Sequence, residues 1–219
     1  MSIRPAAVLT GDLVASTRHP AETVDRAMQH LHDAARDIGS WSSPPQDTRF
    51  TRYRGDGWQL VLARPHHALR AAIVLQARLM AIGLQTRIFI GIGAIERHGT
   101  DSLADASGEA FERSGRGLDA LEEPWTLGIE GSGVNPEDQM IADLLGERIG
   151  RWTRPQAEAA ALLLASVERV RTLSEIGTRL GISPQAVNDR VRGAGCATLA
   201  SVLRRWEHRK ARGVWSGTR

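Results

Sequence analysis

The protein has 219 residues, 42% of them hydrophobic, which is enough for one large domain or for a domain with a smaller one attached. Its single cysteine, Cys196, excludes an internal disulfide and favours a reducing compartment. No apolar run reaches the length of a membrane span or has the flanks of a signal peptide, so we expect a soluble, cytoplasmic protein with no membrane partner.

Charge is distributed unevenly along the chain, although the formal net charge is only +3. Residues 151–219 contain 13 Arg or Lys against 5 Asp or Glu, a balance of +8. Residues 1–150 contain 15 against 20, a balance of −5. Such a split is typical of an acidic body followed by a basic region that faces nucleic acid.

Apolar runs and helical periodicity predict the order β-α-β-β-α-β, then α-β, within residues 1–130. The predicted strands are 6–10, the two strands of a hairpin at 48–63, 84–95 and 125–129, and the predicted helices are 20–38, 65–83 and 109–121. This order is that of the split βαβ unit, so we expect an α+β fold of the ferredoxin-like type.

Two aspartates stand at the ends of predicted strands. Asp12 closes the first apolar run, and Asp56 lies in the hairpin turn Gly55-Asp56-Gly57. Good turn chemistry alone accounts for Asp56, because Asp-Gly is a favoured hairpin sequence. Two carboxylates that meet across neighbouring strands also suit Mg²⁺ or another divalent cation that holds a nucleotide polyphosphate. The histidines His66, His67 and His98 lack metal-ligand spacing, and we expect them to be solvated.

The glycine-rich segment 131–136 predicts a linker, and a helix at 137–149 connects it to the basic region. We therefore divide the chain into a body at 1–130, a linker with a connecting helix at 131–150, and a small all-α domain at 151–219.

The basic region has the local signals of a helix-turn-helix that follows a helix at 155–170. Thr172 and Glu175 form a capping box, Gly181 marks a tight turn, and Ser183 caps a helix that begins with Pro184. An alternative is a helical hairpin used only for protein contacts.

The second helix of this pair has one apolar face and one polar face. Val187 and Val191 share the apolar face. The residues that we expect to contact DNA from this helix are Ser183, Gln185, Asn188, Asp189 and Arg192. A trailing helix at 199–212 carries further basic residues that suit phosphate contacts or a solvated face: Arg204, Arg205, Arg209, Lys210 and Arg212.

Several motifs of the body belong together: Gly11-Asp12-Leu13-Val14-Ala15-Ser16-Thr17, Arg54-Gly55-Asp56-Gly57, Ile90-Gly91-Ile92-Gly93 and Gly108-Glu109-Ala110-Phe111-Glu112-Arg113-Ser114-Gly115-Arg116. They resemble motifs of the class III nucleotide cyclase homology domain. The resemblance implies that Asp12 and Asp56 hold metal ions and that Arg116 faces phosphate. It places Arg52 where the family often has a base-reading lysine, and Asp105 where it has a paired aspartate.

The predicted nucleotide-binding set is therefore Gly11, Asp12, Ser16, Thr17, Arg52, Gly55, Asp56, Asp105, Glu112 and Arg116. Glu112 departs from the family pattern, because it stands where the family has an asparagine that assists the transition state. A carboxylate cannot supply an amide donor and repels the negative charge that develops on phosphate. We therefore expect binding of a nucleotide effector without catalysis.

The C-terminal region contains the segments Trp152-Thr153-Arg154-Pro155-Gln156, Ile182-Ser183-Pro184-Gln185-Ala186-Val187 and Gly193-Ala194-Gly195. With these segments, the chain resembles over nearly its full length the SatD family, which joins a cyclase-like domain to a C-terminal helix-turn-helix. Cyclase-like domains also imply a homodimer, with the metal aspartates on one protomer and the helix arginine on the other.

Three hypotheses follow. The first is a transcription regulator whose degenerate cyclase-like body senses a nucleotide. The second is an active cyclase with a DNA-binding localisation domain, and in the third the body only dimerises the DNA-binding region.

Overall fold

A five-stranded sheet forms the centre of the body. The computed structural model describes residues 5–46, 48–53, 55–100, 102–165, 167 and 170–213. The strands are β1 Ala6–Leu13, β2 Thr48–Tyr53, β3 Gly57–Leu62, β4 Thr86–Gly93 and β5 Leu127–Gly131. Their order across the sheet is β2-β3-β1-β4-β5.

β1 is the central strand and pairs antiparallel with both β3 and β4, while β4 and β5 are parallel. The first four strands therefore have the order of a split βαβ unit, and β5 extends the sheet beside β4. The predicted α+β, ferredoxin-like arrangement is confirmed. β5 begins two residues later than the apolar run at 125–129 suggested.

Helices cover both faces of this sheet. The helices of the body are α1 Ala21–Gly39, α2 Ala68–Ala81 and α3 Glu109–Asp119. Alternation along β1 places Leu9 in the large core with α1 and α2, whereas Val8 packs in a smaller cluster with Ala110 of α3. Thr10 and Asp12 share the α3 face with Val8, because side chains two residues apart point to the same side of a strand.

Five further helices complete the described chain. They are α4 Pro136–Gly150, α5 Arg154–Leu164, α6 Leu173–Leu180, α7 Pro184–Gly193 and α8 Cys196–Gly213. α5 ends six residues before the predicted boundary at residue 170. None of the described helices is long and apolar enough to cross a membrane.

The C-terminal helices share a core with the body. α5 packs along α2, and one hydrophobic cluster runs from Ala7 of β1 to Trp206 of α8. The division at residues 130 and 150 remains a prediction, but the region after residue 150 is not an independent unit in its packing.

A buried ion pair joins α2 to α8. Arg70 Nε lies 2.6 Å from Glu207 Oε1, and Arg70 Nη2 donates to Glu207 Oε2 at 2.8 Å. The two side chains are only 4% and 9% exposed. Because bidentate arginine–carboxylate geometry fixes orientation as well as distance, this pair sets how α8 sits on the body.

A second buried charge cluster centres on Asp138, whose side chain is fully buried in the first turn of α4. The Asp138 carboxylate accepts hydrogen bonds from Trp206 Nε1 at 2.9 Å, from Arg209 and from Lys210. Lys210 was expected on a phosphate-contacting or solvated face, and that expectation is wrong. The structure buries it because Asp138 supplies its counter-charge.

His67 also differs from expectation, since it is 4% exposed rather than solvated. Its ring packs edge-on against Trp41, with 6.1 Å between the ring centroids. Burial, followed by the nearby His66 and Arg70, lowers the pKa of His67 to about 3. The ring is therefore a neutral part of the core.

Candidate functional site

Asp12 lies near the end of β1, where it is directly opposite Gly57 of β3 and Arg87 of β4. Both carboxylate oxygens of Asp12 are engaged by Arg87. Arg87 Nε lies 3.0 Å from Oδ1, and Arg87 Nη2 lies 2.5 Å from Oδ2. The hydrogen bond with Asp12 is the main cause of a raised pKa of the Arg87 guanidinium. The predicted metal carboxylate is thus half of a bidentate ion pair.

Asp56 is tied to the loop that follows β1, because Ser16 Oγ donates a hydrogen bond to Asp56 Oδ2. Ser16 begins a short 3₁₀ helix, Ser16–Arg18, in which Thr17 is exposed. Gly55 precedes Asp56 with φ of +81°, the left-handed conformation that favours glycine in a turn. The structure therefore brings together the Gly-Asp motif of the first strand and that of the hairpin.

Gly11 allows β1 to pack closely against β3 and β4. It lies on the face of β1 opposite to Asp12, and a side chain there would collide with the ring of Trp58.

A divalent cation does not fit the residues as the structure places them. Mg²⁺ needs oxygen ligands with free lone pairs in near-octahedral geometry. Asp12 has both oxygens bound to a permanently charged guanidinium, and Asp56 already accepts from Ser16. Across the described residues there is no group of three or more His, Cys, Asp or Glu that could hold a metal ion.

Arg52 lies on the other face of the sheet. It is opposite Trp58 in the β2–β3 ladder, on the side that α1 covers, and its Nη1 lies 2.6 Å from Asp25 Oδ1. The structure does not bring Arg52 to the face of Asp12. Its neighbour Arg54, part of the hairpin motif, lies outside the described residues.

Asp105 stabilises its own loop. The backbone N–H of Thr100 donates to Asp105 Oδ1 at 3.1 Å, and the Thr100 hydroxyl lies 3.1 Å from Oδ2. The backbone hydrogen bond is the first cause of a lowered pKa of the Asp105 carboxyl. Asp105 is therefore engaged with Thr100 rather than with Asp12.

Glu112 and Arg116 lie one turn apart on α3 with exposed side chains. Within the described part of the chain, neither side chain makes a hydrogen bond or an ion pair. α3 is anchored to β1 by a buried contact of 2.7 Å between Ser114 Oγ and Thr10 Oγ. Arg116 is thus an available cation on the helix that covers the same side of the sheet as Asp12.

The predicted caps of the C-terminal region are present. Thr172 and Glu175 form a capping box at the start of α6, and the turn at 181–183 joins α6 to α7. Gly181 adopts φ of 66°, and Ser183 Oγ accepts from the backbone N–H of Ala186 at 3.1 Å. Local hydrogen bonds therefore fix where α7 begins.

α7 buries one face and exposes the other. Val187 and Val191 are buried. The predicted DNA-contacting residues are exposed on α7 or at its cap, apart from the half-buried Asn188: Ser183, Gln185, Asp189 and Arg192. Arg190 points back to the α5 residue Glu158, with 2.9 Å between Nη1 and Oε2. On α8, Arg204 and Arg205 are exposed.

No family model matches the sequence, and neither does any curated protein. Solved structures of nucleotide cyclases are similar in fold. A bacterial light-regulated adenylyl cyclase has 16% identity and a TM-score of 0.44, covering 59% of this chain and 77% of that one. A second such structure has 16% identity and a TM-score of 0.43, covering 58% and 43%. A guanylyl cyclase has 15% identity and a TM-score of 0.38, covering 60% and 76%. These similarities identify no ligand and no activity.

Arg87 is the site residue that the sequence argument missed. A signal for it was present, because an arginine interrupts the apolar alternation of the strand Thr86–Gly93. A charged residue within such a strand needs a partner, and the central neighbouring strand offered Asp12.

Proposed function

We propose that the protein is a DNA-binding transcription regulator and that α7 is the helix that enters the major groove. The observation that carries this proposal is the outward face of α7, where Gln185 and Arg192 are exposed and Asn188 is half-buried, on a helix capped by Ser183. Such side chains are the natural partners of adenine and guanine edges in the major groove. A second helix presented beyond a short turn is the usual way to place them there.

The positive charge of the C-terminal region also supports DNA as the partner. The balance of +8 over residues 151–219 attracts the phosphate backbone. Arg204 and Arg205 remain exposed on α8, whereas Lys210 is used inside the protein. We therefore assign sequence readout to α7 and phosphate contacts to the exposed arginines of α8.

Asn188→Ala and Arg192→Ala should each weaken binding to a specific duplex by about 1–3 kcal/mol, because each removes a contact to a base edge. Fluorescence anisotropy with a labelled specific duplex and a scrambled duplex measures this effect. Arg204→Ala and Arg205→Ala should instead weaken binding to both duplexes alike.

Arg190→Ala is the matched control, since Arg190 lies on the same helix but pairs with Glu158 of α5. It should leave the preference for the specific duplex unchanged. If Arg190→Ala lost that preference while Asn188→Ala and Arg192→Ala kept it, α7 would not be the reading helix in the orientation we assign.

For the body, we propose a nucleotide effector site, a dimerisation role, or both. Arg116 supports the effector site, because it is an exposed cation without a partner among the described residues. Glu112 argues against turnover, since it places a carboxylate where an amide donor would help. The alternative is an active class III-type cyclase with a DNA-binding localisation domain. It would require Arg87 to release the Asp12 carboxylate.

A homodimer suits both parts of this proposal. Two copies of α7 could read half-sites separated by about one helical turn of DNA.

A cavity of about 320 Å³ lies between the loop after β1 and the start of α5, lined by residues that include His19 and Arg154. The loop after β1 and the start of α5 therefore line the same cavity.

A further inference from the structure

Arg87 is held in place on several sides. Its backbone is fixed by the pairing of β4 with β1, opposite Asp12. Its Nη1 donates to the carbonyl of Leu121 at 3.0 Å, while Nε and Nη2 bind the Asp12 carboxylate. The next residue back, Thr86, donates its hydroxyl to the Asp12 backbone carbonyl at 2.6 Å. The guanidinium is thus a built part of this strand end.

The environment strengthens the pair. The side chains of Arg87 and Asp12 are 32% and 27% exposed, so their attraction is screened less than that of a surface pair. An arginine keeps its charge at every physiological pH. A divalent cation that approached Asp12 would have to displace this guanidinium and then remain beside its positive charge.

We propose that Arg87 is a built-in cation that occupies the place of a metal ion at Asp12, so that this body takes no divalent cation there. The proposal concerns the chain's own residues and does not depend on DNA binding. For the effector site proposed above, it means that a nucleotide is bound without a bridging metal. Phosphate would then be recognised by arginine side chains such as Arg116.

Titration of the full-length protein with Mn²⁺ alone, followed by electron paramagnetic resonance of the free ion, tests the proposal. The wild type should show no saturable site that depends on Asp12. Arg87→Met should create a saturable Mn²⁺ site, because the Asp12 carboxylate becomes available as a ligand. Adding Asp12→Asn to Arg87→Met should remove the new site.

Arg78→Met is the matched control. Arg78 Nη2 lies 2.8 Å from Asp37 Oδ2, and this pair does not involve Asp12, so the variant should create no Asp12-dependent site. Arg87→Gln replaces Arg87→Met should the latter fail to fold by circular dichroism. Saturable Mn²⁺ binding by the wild type that Asp12→Asn abolishes would overturn the proposal, whatever the variants do. A folded Arg87 variant that gains no Asp12-dependent site would also overturn it.

Discussion

Replacing Asp138 with alanine is expected to lower the free energy of unfolding by about 3–5 kcal/mol, because it leaves a buried ammonium without a counter-charge. The Lys210 side chain is only 2% exposed, and Asp138 is its charged partner. The same substitution removes the acceptor of Trp206 Nε1 and breaks the capping box that Asp138 forms with Asn135. Urea denaturation monitored by tryptophan fluorescence measures the change.

Asp33→Ala is the control for this variant. Asp33 also pairs with an arginine, Arg36, at 2.9 Å, but both side chains are well exposed. Exposed pairs contribute about 0–1 kcal/mol, so the control should stay close to wild type. A loss of less than about 1 kcal/mol for Asp138→Ala would show that Lys210 finds water or another partner, contrary to the structure described here.

Glu207→Ala is expected to cost a similar amount, about 3–5 kcal/mol, because Arg70 then stays buried with its charge unpaired. Its remaining side-chain hydrogen bond among the described residues is one of 3.4 Å to the carbonyl of Leu164. The double variant Arg70→Met/Glu207→Leu should recover most of the loss, since apolar side chains of similar volume replace a buried ion pair at little cost.

The comparison of the single and double variants, again by urea denaturation, separates charge burial from lost packing. Asp37→Ala serves as control, because its partner Arg78 is partly exposed and the pair lies on the surface of α1 and α2. If the double variant were as unstable as Glu207→Ala, the cost would come from packing at the α2–α8 contact rather than from the unpaired charge.

The strand order could be predicted because its signals are local. Apolar alternation and the Gly55 turn define β2 and β3, and the order β-α-β-β-α-β is that of the split βαβ arrangement. The helix pair α6–α7 could be predicted equally well from the sequence, since its caps at Thr172 and Ser183 lie within a few residues of the groups they satisfy.

The roles of individual charges were harder to predict, because their partners are distant in sequence. Lys210 meets Asp138 across 72 residues, and Arg87 meets Asp12 across 75. A hint for Lys210 existed, because it shares a helical face with Leu203 and Trp206, both of which are buried. Net charge alone could not separate this lysine from the exposed Arg204 and Arg205.

The division into body and C-terminal domain was also hard to predict, because it too depends on contacts between residues that are distant in sequence. Gly131 and Gly133 look like a flexible linker in the sequence, and both adopt positive φ. Yet Lys210 of α8 also donates a hydrogen bond to the Gly133 carbonyl, so this glycine-rich segment is held against α8. A change in the body would thus reach α7, the helix that we propose to bind DNA, through a shared core and not through a loose tether.

Selection from a pool of random DNA duplexes with the full-length wild-type protein tests the central claim most directly. We expect the protein to retain duplexes at low salt, to enrich a common sequence, and to bind with an affinity that falls steeply as salt rises. The enriched duplex should bind at least about 10³-fold more tightly than random DNA at physiological salt. No retention of any duplex at low salt would contradict the account, because a basic reading helix must at least bind DNA without sequence preference.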